Sequence, residues 1–94
     1  MTNYLEAEAR LIREQVPAGT AIPDDSDLLF LVYAVLKRAK GDAVTNSDVH
    51  DAWAAWMTFT RGDHPAIVPY QDLTPSVQLE DAPFTAAIRA AGQK

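Results

Sequence analysis

The chain predicts an all-α fold, a small bundle of four to five helices crossed by one long ordered loop. Three observations carry this. Apolar residues recur at helical spacing over residues 3–16. Helix-start signatures stand at Thr45-Asn46-Ser47-Asp48 and at Thr74-Pro75. Proline or glycine closes each periodic stretch, at Pro17, Gly41, Gly62 and Gly92.

The first helix spans residues 3–16, where Tyr4, Leu5, Ala9, Leu11, Ile12 and Val16 share a side and Glu6 is spaced to pair with Arg10. Pro17-Ala18-Gly19 ends it, and residues 18–25 form a loop. Asp25 or Ser26 caps a second helix that ends near Lys40-Gly41. Its centre, Leu28 to Leu36, is apolar on all sides, which predicts a central helix enclosed by its neighbours. A third helix runs from the Thr45 capping box to about Phe59, with Val49, Trp53, Trp56, Met57 and Thr60 on one side. A short helix follows from Pro75 to about Glu80, and a last one from Pro83 to Ala91.

With 94 residues the chain forms one domain, residues 1–94, and its 48% apolar and 22% charged residues are ordinary for a soluble globular protein. The net charge of −5 argues against duplex nucleic acid as a partner. Lys37, Arg38 and Lys40 are the one dense basic stretch and fall at a helix end, where they complement the macrodipole. Absence of cysteine excludes disulfides and thiolate chemistry. No secretory signal stands at the acidic N-terminus, and the apolar run 28–36 falls well short of the ~20 residues of a membrane span. A cytoplasmic protein without a membrane partner is expected.

His64-Pro65-Ala66-Ile67-Val68-Pro69-Tyr70-Gln71-Asp72-Leu73 fits neither helix nor strand. Its two prolines remove two backbone donors and press His64 and Val68 towards extended geometry. Such a segment reads as a strap laid over the bundle. Together with His50-x-x-Trp53 and the acidic helix reaching Asp81, it resembles the RyR domain, the repeat named for ryanodine receptors, over residues 44–90. The phrase Asp48 to Trp56 also looks like small actinobacterial and actinophage proteins of unassigned function. What the resemblance implies is a helical module without enzymatic activity, some members being associated with small-molecule or nucleotide pockets. The chain departs from the repeat in one place. Between the Trp helix and the His-Pro loop only Thr60-Arg61-Gly62-Asp63 remains, where RyR repeats carry a longer Gly/Trp/Tyr stretch.

The residues themselves offer little catalytic chemistry. His50 and His64, with Asp48, Asp51 or Asp63, match no zinc spacing, so no metal is expected. His64 is read as pinning its own turn, and His50 as stacked on an aromatic neighbour or solvated. Ser26, Ser47 and Ser76 sit at helix starts, where capping accounts for them. No phosphate loop, nucleophile elbow or dinucleotide fingerprint occurs, so neither catalytic residues nor a cofactor is expected. Asp24-Asp25 and Glu80-Asp81 read as caps or solvated faces.

The aromatic set offers more, because Trp53, Trp56, Phe59 and Tyr70 are able to line a slot for a flat ring. Trp53 is read as core, Trp56 as nearer its margin, and Tyr70 as a loop anchor whose hydroxyl finds a backbone partner. Arg61 and Arg89 are the charges best placed to meet an anionic group. The expected site is therefore Trp53, Trp56, Arg61, His64, Tyr70 and Arg89, in a non-catalytic module that binds a small, nucleotide-like ligand by sequestration or through a partner. The alternative is a self-associating or protein-interaction module whose contact surface is Trp56, Met57, Ala86, Ala87, Ala90 and Ala91.

Overall fold

Residues 2–93 are described by the computed structural model, and every regular element among them is helical. The elements are α1 (Tyr4–Gln15), α2 (Asp27–Lys40), α3 (Asn46–Thr60), the single-turn α4 (Pro75–Gln78) and α5 (Ala82–Ala91). Short 3₁₀ turns at Gly41–Ala43, Tyr70–Asp72 and Leu79–Asp81 join them.

The helix ends follow local chemistry. Asn3 caps α1 in a reciprocal box: its side chain accepts from the Glu6 N–H at 2.8 Å, and the Glu6 carboxylate accepts from the Asn3 N–H at 3.2 Å. Glu6 thus serves the cap rather than Arg10, the partner its spacing suggests. Thr45 and Asp48 form the same box at α3, as the sequence predicts, and Lys40 holds the Asp48 carboxylate at 2.9 Å. Ser26 stands at the N-cap of α2, but its hydroxyl accepts from Arg13 at 3.3 Å and makes no capping bond. Gly41 stops α2 at φ +55°, a conformation that side chains resist. The basic end of α2 also ties helices together, because Lys37 and Arg38 both reach Glu8 on α1. The Lys37 contact, chiefly, holds the Glu8 carboxyl below its ordinary range, with burial opposing.

Helix α2 packs against α1, α3 and α5 and supplies Leu29, Phe30, Tyr33 and Ala34 to the core. Phe30 meets Tyr33 edge-on at 5.4 Å, and Phe84 of α5 completes the aromatic cluster at 6.3 Å and 5.9 Å. Burying each such ring contributes ~1.5–3 kcal/mol before conformational entropy is charged against it. The helix is not enclosed on all sides, however. Leu28 and Val35, seven positions apart and so on one side of the helix, are exposed.

The two tryptophans exchange the roles their spacing suggests. Trp56 is 2% exposed and belongs to the core with Val49, Ala52 and Met57. Trp53 is only partly buried and packs against the core from its edge. Both lie on the inward half of α3, so angular position alone does not separate them. What differs is the cover: the Arg61 guanidinium lies 4.7 Å above the Trp56 ring, whereas Trp53 borders a cleft. The alanine face is also internal in part. Ala87 and Ala91 are buried around Ile88, and with Trp56 and Met57 also inside, four of the six residues expected as a self-association surface are buried, while Ala86 is exposed and Ala90 half-buried.

Truncating Trp56 to Ala should lower folding stability by ~3–5 kcal/mol, the cost of an unfilled aromatic site. Trp53→Ala should cost clearly less. Urea denaturation of both variants measures this, and equal losses would contradict the assignment.

Candidate functional site

Where α3 ends, the chain leaves the bundle and returns across it. Thr60 is the last residue of α3, and the N–H groups of Arg61 and Gly62 both bond the Met57 carbonyl. Gly62, at φ +81°, turns the backbone outward. His64 then closes its own turn, with Nδ1 accepting from the Ala66 N–H at 3.0 Å, as the sequence suggests. Two further bonds fasten the strap to the bundle. His50 Nε2 donates to the Val68 carbonyl at 2.7 Å, and Gln78 Nε2 donates to the Tyr70 carbonyl at 2.9 Å. A carbonyl only accepts, so the first bond places a proton on Nε2.

The strap does not lie flat against the bundle. Between it, the loop at residues 18–23 and the start of α5 lies a cleft of about 670 Å³. Tyr33 and Leu29 of α2, Phe84 and Pro83 of α5 and Trp53 of α3 supply apolar surface, and His50, His64, Glu80 and Asp81 supply polar groups. Trp53 contacts both histidines, stacked on His50 at 5.6 Å and edge-on to His64 at 5.2 Å. The loop at the other rim is secured by Arg61, which donates to the Asp24 carbonyl at 2.8 Å.

His50 and Asp81 form the electrostatic centre of the cleft. His50 is 2% exposed, and its Nδ1 stands 3.8 Å from Asp81 Oδ2, beyond hydrogen-bond length. Burial pushes the Asp81 carboxyl up to about 6; the His50 ring opposes this and the Glu80 charge adds to it. Burial, with the Asp81 charge, likewise raises the Tyr33 phenol above its ordinary range.

Of the six residues expected from sequence, the cleft takes two, Trp53 and His64. Trp56 is core. Arg61 is committed to Trp56 and Asp24. Arg89 donates twice to the Val44 carbonyl, at 3.1 Å and 2.6 Å, joining α5 to the α2–α3 junction. Tyr70 anchors the strap through its carbonyl rather than its hydroxyl, with its ring 6.2 Å from His50. Phe59, 82% exposed at the end of α3, lines no part of the cleft. Sequence reasoning missed His50, Asp81, Glu80 and Tyr33. The signal for Asp81 was its place between a helix and Pro83, where a cap was the simpler reading. For His50 it was the position one turn before Trp53.

Fold and cleft together define a small all-α domain with an aromatic-walled, acidic pocket beneath a proline-containing strap. The chain belongs to the family described as domain of unknown function DUF7701, whose model matches residues 3–93. No curated protein and no solved structure matches it. Among the described residues no helix is long and apolar enough to cross a membrane, and no group of three His, Cys, Asp or Glu is placed to hold a metal.

The raised Asp81 carboxyl makes a signed prediction. Between its ordinary value of 3.8 and about 6 the folded state binds more protons than the unfolded. The stability this group contributes is therefore full below pH ~4 and is lost as pH rises through ~6. Replacing Asp81 by Asn removes that dependence. The variant's stability relative to the parent should rise between pH 4.5 and 7.5 by about 1–3 kcal/mol. Urea titrations of both proteins at the two pH values measure the change, and a constant difference would mean the carboxyl is freely hydrated.

Proposed function

We propose that the protein is a non-catalytic small-molecule-binding module of the cytoplasm, and that its ligand lies in the cleft under the strap. The observation that carries this reading is the cleft itself. Its volume of about 670 Å³ falls within the range of ligand pockets, and aromatic side chains line it beside a few convergent polar groups. Binding acts by sequestering the ligand or by presenting the liganded strap to a partner. The ligand is not nucleotide-like in its charge. Glu80 and Asp81 line the cleft, while Arg61 and Arg89 are engaged elsewhere, so a phosphate would meet carboxylates. The RyR-like resemblance of residues 44–90 stays part of this reading, and His50 and His64 both act on the strap that carries it.

A thermal-shift panel of small aromatic metabolites tests the reading. A ligand at a hundred times its Kd stabilises the protein by ~2.7 kcal/mol, enough to raise the melting temperature by roughly 10–20 °C. Trp53→Ala should abolish the shift. A flat panel across anionic, neutral and cationic compounds would sink the proposal.

Self-association is the second reading, now supported by different residues. Leu28 and Val35, seven positions apart on the open side of α2, are exposed together. Sedimentation at rising concentration should then show a dimer that Val35→Lys dissolves, and a monomer at every concentration contradicts it.

A further inference from the structure

Two hydrogen-bond acceptors face each other inside the cleft. The Val68 carbonyl fixes the proton of His50 on Nε2, so a neutral ring carries a lone pair on Nδ1. Nδ1 stands 3.8 Å from Asp81 Oδ2, and an ionised carboxylate is also an acceptor only. Nδ1 makes no hydrogen bond among the described residues, although His50 is 2% exposed. Such a pair is satisfied only by a donor that serves both atoms or by a proton on one of them. No lysine or arginine lines the cleft to act as that donor. Glu80 adds negative potential beside the pair, and Trp53, Tyr33 and Phe84 offer ring surface next to it. Carboxylates beside aromatic faces are the chemistry that recognises an organic cation.

We infer that the cleft takes a flat, positively charged N–H donor, such as a protonated amidine, aromatic amine or basic heterocycle, whose N–H group bridges His50 Nδ1 and Asp81 while its ring lies against Trp53. The inference rests on the small-molecule reading above and specifies its ligand class. A proton on Asp81 competes with that donor. The titratable groups facing Asp81 across the cleft are Tyr33 on α2, His50 on α3, His64 on the strap and the adjacent Glu80. Loading at pH 5 is therefore weaker than at pH 7.5.

The chain's two tryptophans make the test direct, since Trp53 borders the cleft and Trp56 is in the core. In ¹⁵N-labelled protein at pH 7.5, benzamidine, benzyl alcohol and benzoate are titrated while both indole N–H resonances are followed. Benzamidine should shift Trp53 saturably and leave Trp56 in place, with benzoate at least roughly tenfold weaker, the equivalent of ~1.4 kcal/mol. Asp81→Asn should weaken benzamidine by about tenfold and benzyl alcohol by clearly less. Glu80→Gln, at the exposed rim, provides a second variant and should weaken benzamidine by about half that factor or less on a logarithmic scale. Benzamidine binding no tighter than benzyl alcohol, or binding indifferent to both substitutions, overturns the assignment of a cation while leaving the cleft a binding site. Failure of all three probes to move Trp53 overturns the binding reading together with this inference.

Discussion

The bond from His50 to the Val68 carbonyl is the interaction on which the shape of this molecule turns. The strap makes no ladder and forms no long helix, so its backbone polar groups need partners from elsewhere. His50 reaches it from the buried face of α3 at 2.7 Å, and Gln78 reaches it from α4. The same bond sets the tautomer of the imidazole and so decides what the other ring nitrogen offers to the cleft. One contact thus closes the fold and defines the chemistry of the pocket beneath it. The position of Trp53 depends on it as well, since that indole stacks on His50 and meets His64 at its edge.

The rest of the charge pattern is structural. Glu8 gathers Lys37 and Arg38 and ties α1 to α2, Arg13 joins Ser26 and Asp27, and Arg89 locks α5 to Val44. These cations are the ones an anionic ligand needs, and each already has a partner within the protein. The acidic groups of the cleft are not balanced in this way. That asymmetry leaves the pocket lined by carboxylates with no lysine or arginine beside them, and it agrees in sign with the net charge of −5.

Much of the fold is legible in the sequence because it rests on short-range chemistry. The Thr45–Asp48 box, the stop at Gly41, the Thr74-Pro75 start and the Gly92 end all involve residues within a few positions of one another. His64 pinning its own turn is equally local. The site is less legible. Trp53 and His64 were readable as candidates, but Asp81 looks like a cap and His50 like a surface or stacking residue. Their meeting spans 31 positions of chain and depends on how α3 packs against the turn before α5.

The sequence by itself determined the helices, their caps and the presence of a segment that no regular element accommodates. It did so because proline geometry, capping and the 3.6-residue period act locally. Only the tertiary structure decided which tryptophan is core. It also decided that Arg61 and Arg89 are structural, and that the strap stands away from the bundle to leave an acidic, aromatic cleft. Those outcomes depend on which surfaces cover one another, and burial and desolvation are properties of that covering rather than of any residue or its neighbours in the chain.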